Sequence, residues 1–404
     1  MAAIPGIWYS GGLLSLCYRE VMARGGYDRA VDKIARLAGQ SRDLVSFWRE
    51  STGVVADVIP HYWSPCWLTV DPASLLITGH FHEELASVPP EWLATEYNDD
   101  GVLRVSDVLT SGTGVATLHE AAGGDPTRSR RWQVNMQRGA DQEMFARLQL
   151  PTGEVWGALG LYREPGNAMF NDREKGFLAA AAPHLAQGTR RAVMQSQAFE
   201  PSRPSAPSLI VLSDRWEIRS TTPGAEYWLA DLPGGDTSSG QLPAAVLAVA
   251  AHALNKASNS QDGSSTAMSC VLGRSGNWVV LHGACLEGTD ERRIAVIVEP
   301  AHPEELLPIL MSAYQLTPRE RDITRLVLSA ATTAEIARTL AISPHTVQQH
   351  LKSIFDKTGV RSRRDLIGKI FFAQHASHRE RSVPTGRAAD NSEADDHRRS
   401  VIPW

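Results

Sequence analysis

The chain has 404 residues, of which 43% are hydrophobic and 21% charged, with a net charge of −5. A domain holds about 150 residues, so two or three domains are expected, and this near-average composition excludes a chain dominated by disorder. No apolar run of about 18 residues and no signal-peptide pattern occur, so we expect a cytoplasmic protein with no membrane partner.

Residues 1–200 have the pattern of one α+β domain. In the first fifty residues, apolar positions recur at three- and four-residue steps, which indicates helix. Strand patterns follow at residues 66–70, 75–81, 143–150 and 155–162, and a capping sequence precedes a predicted helix at 175–194. Strands closed by a long helix are typical of an α+β domain.

Residues 201–208 are predicted to be a linker because proline and serine dominate them. A second α+β domain is predicted at residues 209–300. The sequence predicts strands at residues 209–212 and 217–220, then a helix that begins at Thr222 and a second helix at 243–257. Three strands follow, at residues 268–272, 278–284 and 294–298. The end of the chain, residues 377–404, mixes charge, serine and proline without a period and is predicted to be a disordered tail.

Residues 312–376 are predicted to form an all-α domain, in which the sequence pattern indicates three helices. Thr317 is a candidate N-cap of the first helix, and a shorter helix starts at Thr333. Ser343 and Pro344 then open a third helix, with serine as the cap and proline in the first turn. Two short helices that meet across a tight turn are the pattern of a helix-turn-helix motif.

The third helix separates apolar from polar side chains. Val347, Leu351 and Ile354 form its buried stripe, which leaves polar and cationic residues outward: His345, Gln348, Gln349, Lys352 and Ser353. Amide and cationic side chains are the types that contact base edges and phosphates in DNA.

The charge of the chain is distributed unevenly. Residues 315–372 contain ten Lys or Arg and five acids, which gives +5, and the remainder therefore carries −10. An acidic body with a basic end suits a protein that contacts nucleic acid through its C-terminal domain only.

Residues 316–370 resemble the LuxR (GerE-type) four-helix DNA-binding domain over about fifty-five positions without a gap. The matching residues include the run 316–320, the run 335–337, and Leu340, Ser343, Thr346, Val347, His350, Lys352, Ile354, Lys357 and the run 359–363. Two positions depart from the family pattern. Ala330 or Ala331 replaces a frequent glycine, and Thr358 replaces a frequent leucine.

The resemblance implies that residues 344–357 lie in the major groove of double-stranded DNA and that two copies form a homodimer through the fourth helix, residues 363–372. RNA polymerase is a candidate partner. The apolar residues of the fourth helix fit either an interface or the core. The predicted DNA-binding residues are Thr346, Gln348, Gln349, His350, Lys352, Ser353, Arg361 and Arg363.

Two further resemblances concern the N-terminal half. Residues 1–200 are similar to GAF-like domains, and residues 209–300 are similar to PAS-like domains in their order of elements. This resemblance implies a one-component regulator that senses a small-molecule ligand of unknown identity. The alternative is an N-terminal half that only binds proteins, for dimerisation or recruitment.

Three residue groups are candidate binding sites in the N-terminal half. The aromatic residues Tyr62, Trp63 and Trp67 fit either a ligand pocket or ordinary core packing. His80 and His82 would share one face of a strand, but no third ligand supports a metal site. The basic run Arg128, Arg130 and Arg131 could bind an anion, although a solvated loop is favoured.

No catalytic motif is present: the sequence has no phosphate-binding P-loop, nucleophile elbow or zinc-protease helix motif. The cysteines Cys17, Cys66, Cys270 and Cys285 are widely spaced, which favours reduced core residues over a disulfide framework or a zinc site. We therefore expect no enzymatic activity, no metal and no cofactor.

Overall fold

The computed structural model describes residues 26–83, 90–97, 101–195, 206–234, 241–259, 266–286 and 292–372. The predicted tail, Cys17 and most of the predicted linker lie outside these residues. Among the described residues, no helix is long and apolar enough to cross a membrane.

The first sheet has five antiparallel strands in the order β2-β1-β5-β4-β3. The strands are β1 (Cys66–Val70), β2 (Ile77–Phe81), β3 (Val115–Thr117), β4 (Gln142–Gln149) and β5 (Val155–Arg163). Four of the five were predicted from the sequence to within two residues at each end. The exception is β3, which has only three residues and therefore carries too short a pattern to be recognised.

Helices cover both faces of this sheet. Residues 26–39 form helix α1, which joins α2 (Leu44–Ala56) and α7 (Asp172–Gln195) on one face. The other face carries α3 (Pro90–Tyr97), α4 (Val105–Thr110), α5 (Leu118–Ala121) and α6 (Arg130–Met136). Along the central strand β5, Leu159 and Leu161 face the first layer while Ala158 and Tyr162 face the second, as the two-residue period of a strand requires.

The second sheet repeats the strand order of the first, because its order is β7-β6-β10-β9-β8. Its strands are β6 (Ser208–Ser213), β7 (Ile218–Thr221), β8 (Ala267–Leu272), β9 (Trp278–Leu286) and β10 (Arg293–Pro300), and its helices are α8 (Ala225–Asp231) and α9 (Ala244–Asn259). The sequence predicted every one of these elements. Strand β6 begins at Ser208, the last residue of the predicted linker.

Helix α9 lies between the two sheets and is buried on most of its surface. It packs on β8, β9 and β10 of its own sheet and on α3 and β2 of the first domain. Its alanines and valines from Ala244 to Ala253 are almost all buried, which fits a helix that is apolar all round. It lies close to β9 at Gly283, where a Cβ atom would be 2.6 Å from the Val249 side chain.

The C-terminal part consists of five helices. The connecting helix α10 (Pro303–Ala313) follows the second sheet, and the four predicted helices come next. They are α11 (Pro318–Leu328), α12 (Thr333–Thr339), α13 (Pro344–Thr358) and α14 (Arg363–Phe372). The predicted all-α four-helix arrangement is confirmed, and the two sheets confirm the α+β character of the N-terminal half.

Candidate nucleic-acid interface

Side-chain caps fix where the helices of the C-terminal domain begin. Thr317 accepts a hydrogen bond from the backbone N–H of Glu320 (3.3 Å), and the Glu320 carboxylate accepts one from the N–H of Thr317 (2.8 Å). Thr332 and Glu335 form the same reciprocal pair at α12. At α13, Ser343 accepts from the N–H of Thr346 (3.0 Å). These caps satisfy amide groups that a helix start leaves unpaired.

The turn between α12 and α13 is closed by a left-handed residue. Ala341 has φ of +52°, and the N–H of Ile342 donates to the carbonyl of Ala337 (2.9 Å). The same pattern ends α11, where Ala330 has φ of +60°. This conformation favours glycine, which gives a physical reason for the glycine that the family pattern often has near position 330.

One face of helix α13 is packed and the opposite face is open. Val347, Leu351 and Ile354 are buried in the domain core, as predicted. His345, Gln348, Gln349 and Lys352 are all exposed and lie on one face at helical spacing. The structure thus brings together Gln348, Gln349 and Lys352 of the predicted DNA-binding set. It also adds His345, which lies three residues before Gln348 on the same face and is not in the predicted set.

The exposed amides make hydrogen bonds that a ligand could replace. The Gln348 amide donates to the Thr333 hydroxyl of α12 (3.2 Å). The Gln349 amide lies 3.2 Å from the imidazole of His345. Thr346 and His350 are half-buried beside this face. The polar groups of the face are therefore held near one another before any partner binds.

Ser353 is engaged inside the domain. Its hydroxyl donates to the buried Glu320 carboxylate (2.6 Å), and Lys357 donates to the other oxygen of the same carboxylate (2.6 Å). Burial raises the pKa of Glu320, but the hydrogen bonds from Lys357, Ser353 and Thr317 outweigh it and hold this pKa below its ordinary value. Glu320 thus joins α11 to α13, and a DNA contact for Ser353 stays a prediction.

The two arginines of the predicted set differ in their surroundings. Arg361 is exposed in the turn after α13. Arg363 is half-buried and donates to the carbonyl of Ala331 (2.9 Å) and the hydroxyl of Thr333 (2.7 Å). Arg363 therefore holds the start of α12 against α14, and its contact with DNA also stays a prediction.

Helix α14 contributes to the core of its own chain. Leu366 and Ile370 are buried, and the helix packs against α10 and α11. The Lys369 ammonium lies 5.2 Å from the ring centre of Tyr314. The structure therefore places Leu366 and Ile370 in the core, and the predicted homodimer contact through this helix stays a prediction.

Residues 314–369 match the family model described as bacterial regulatory proteins of the luxR family. The C-terminal segment is a luxR-family helix-turn-helix domain. The matched range covers α11, α12 and α13 and most of α14, and it contains every residue of the predicted DNA-binding set.

The curated relatives match only a short stretch of this chain. HTH-type transcriptional regulators of Mycobacterium bovis and Mycobacterium tuberculosis are 46% identical over 52 residues, which are 13% of this chain. The match spans 6% of the length of those relatives, so most of each protein lies outside it.

Solved structures resemble the chain only loosely. Escherichia coli SdiA aligns with 85% of this chain and 95% of its own at 12% identity and a TM-score of 0.30. The Vibrio cholerae VqmA dimer aligns with 42% of this chain and 83% of its own at 14% identity and a TM-score of 0.18. TM-scores this low support no conclusion about fold or function.

The three aromatic residues predicted to line a pocket lie in two groups. Tyr62 stacks on Trp63 with ring centres 5.4 Å apart. Trp67 is fully buried between the first sheet and the helices α1, α2 and α7, and it stacks on Trp48 with ring centres 5.6 Å apart. None of the three is among the described residues that line the cavity between the two sheets or a second cavity beside Glu120 and Phe170. A ligand contact for these residues stays a prediction.

The histidine pair and the basic run occupy different settings. The rings of His80 and His82 stack with centres 6.3 Å apart, and the described residues contain no group of three metal-ligating side chains.

The expectation of a solvated loop is wrong for Arg131. It lies in α6, is 4% exposed, and is held between Glu96 and Glu143. The position of Arg131 in α6 directs its side chain into the domain, where the carboxylates of Glu96 and Glu143 neutralise its charge.

Proposed function

We propose that this chain is a sequence-specific transcription regulator that binds double-stranded DNA through α13 and acts as a homodimer. One observation carries the proposal: the open face of α13 presents Gln348, Gln349 and Lys352 from a luxR-family domain whose net charge is +5. Gln bonds bidentately to adenine in the major groove, and Lys neutralises phosphate.

We further propose that the N-terminal half consists of two related sensor domains, GAF-like and PAS-like, that respond to a small molecule. Two sheets with the same strand order support a pair of related α+β domains. A cavity of about 450 Å³ between the domains supports ligand binding over an N-terminal half that binds only proteins. RNA polymerase remains a predicted partner.

The experiment separates the two kinds of contact on α13. A target sequence is first selected from random DNA, and binding is then measured by fluorescence anisotropy at several salt concentrations. We expect Lys352→Ala to weaken binding to target and random DNA alike, and to make the slope of log affinity against log salt shallower by about 0.9 for each subunit of the bound dimer. Lys33→Ala removes an exposed lysine from α1 and should change neither value.

Gln348→Ala should act on sequence choice instead. We expect a loss of about 1–3 kcal/mol in the preference for target over random DNA, with the salt slope unchanged. The division of roles is contradicted if both variants lose affinity equally on target and random DNA. Absence of any DNA binding by the unmodified chain would overturn the proposed function itself.

A further inference from the structure

A cleft separates the first and second α+β domains at the edge of each sheet. Its first-domain wall comes from α2, β1, β2 and β5, and its second-domain wall comes from β8, β9 and the segment after α8. The volume of about 450 Å³ lies within the range of about 300–1,000 Å³ that small-molecule sites occupy.

The walls of the cleft are mainly apolar and aromatic. Val45, Trp48, Phe81 and Trp156 line it from the first domain, and Val271 and Trp278 line it from the second. The indole N–H groups of Trp156 and Trp278 are buried and have no hydrogen-bond partner among the described residues. Because neither nitrogen has appreciable accessible surface, the two rings present apolar surface to the cleft.

The charged groups of the cleft favour an uncharged occupant. Asp71 already accepts hydrogen bonds from Ala73, Ser74 and, across the domain boundary, the backbone N–H of Cys270 (3.1 Å). Arg274 is exposed at the rim. Burial, and then the neighbouring His82, lower the pKa of His80 to about 3, so the imidazole is neutral at ordinary pH. Because burying an unpaired charge is costly, a net charge on the ligand is disfavoured.

The second-domain wall is connected to the helix that leads to the DNA-binding domain. The Cys270 thiol donates to the carbonyl of Glu305 in α10 (3.7 Å). The carbonyl of Trp278 accepts from the N–H of Ala301 (3.0 Å), just before α10 begins. A molecule that moves β8 or β9 therefore acts on α10 directly.

We propose that this cleft is the sensor site and that it binds an uncharged, mainly apolar small molecule. The inference deepens the proposed function, since it names the ligand class and the place where the ligand acts. Occupancy would fix the distance between the two sheets and thereby the position of α10.

Binding is tested on the full chain with prodan, an uncharged fluorescent naphthalene ketone. We expect saturable binding, a blue-shifted emission, and energy transfer from tryptophan, because three tryptophans line the cleft. Val45 is 38% exposed on α2, so Val45→Trp and Val45→Arg can fill or charge the cleft without disturbing the core. Each should weaken prodan binding about tenfold or more.

The matched control is Ile218→Trp, which changes an exposed aliphatic residue on β7 outside the cleft and should leave prodan affinity unchanged. Absence of saturable binding, or equal affinity in the unmodified chain and both Val45 variants, would overturn the proposal. The measurement uses no DNA, so its failure leaves the DNA-binding function standing, and a failure to bind DNA leaves the cleft result standing.

Discussion

Ala341 shows how a single residue stores strain in the DNA-binding domain. The left-handed conformation costs an L-amino acid about 1–2 kcal/mol. Ala341 adopts this conformation in the turn before α13, with φ of +52°. The turn keeps this conformation because the buried side chains of Ile336 and Val347 fix the helices on either side.

Replacing Ala341 with glycine should therefore stabilise the domain. The relief of strain exceeds the added entropy of the unfolded chain, so we expect a gain of about 0.5–1 kcal/mol. Native-state hydrogen exchange at the buried Val347 and Leu351 amides would slow by about two- to fivefold. Ala334→Gly, inside helix α12, should accelerate exchange instead. Equal effects of the two substitutions on hydrogen exchange would contradict the proposal that the backbone of Ala341 is strained.

At the scale of elements, Glu320 links α11 to the helix that is proposed to enter the groove. Glu320 as a residue is 3% exposed, and its carboxylate accepts hydrogen bonds from Ser353, Lys357 and the N–H of Thr317. The orientation of α13 in the domain thus depends on one ionised side chain as well as on apolar packing.

The pH dependence of this link has a definite sign. The pKa of Glu320 is lower in the folded chain than its ordinary value of 4.5, so its stabilisation is present above that pH and is lost as pH falls. Glu320→Gln should cost about 1–3 kcal/mol near neutral pH and should make the domain less sensitive to acid. Hydrogen exchange at Leu351, followed from about pH 6 to pH 3, measures both effects.

Glu304→Gln is the matched control for the acid experiment, because Glu304 is an exposed carboxylate in α10. It should retain the acid sensitivity of the unmodified chain. If Glu320→Gln also retained that sensitivity, Glu320 would not be the titrating group.

At the scale of the whole molecule, the DNA-binding domain is docked on the first α+β domain. Arg321 of α11 forms an ion pair with the buried Glu154 in the turn between β4 and β5. Gln315 donates to Gln187 of α7 (3.1 Å), and Arg190 donates to the carbonyl of Ala313. These contacts leave the polar face of α13 exposed, so docking positions the domain without covering its proposed DNA-binding surface.

Glu154→Gln should loosen this docking. Arg321 is only 25% exposed at its side chain, and loss of its partner would leave a cation that burial already disfavours. We expect faster hydrogen exchange in residues 314–321, by a factor that corresponds to a loss of about 1–3 kcal/mol in the local free energy of unfolding. Glu164→Gln, in an exposed loop after β5, should have no effect. Unchanged exchange in the Glu154 variant would show that the ion pair does not hold the domain.

The sequence by itself determined most of the elements and the DNA-binding domain. These predictions rest on local signals, because each signal depends on residues within a few positions of one another. The signals are the helix caps at Thr317 and Ser343, the buried stripe of Val347 and Leu351, and the strand patterns in both sheets. For the same reason the exposed face of α13 was predicted almost completely. Short elements such as β3 carried too few residues for a pattern.

Only the tertiary structure decided how these parts are assembled. Val45 and Trp278 share a cleft across more than two hundred positions of sequence, Arg131 is placed between two carboxylates, and Glu154 meets Arg321. Such contacts follow from the packing of whole elements against each other, which local propensity does not encode. Tertiary packing therefore decides the cleft and the docking, whereas local patterns decide the surface of α13.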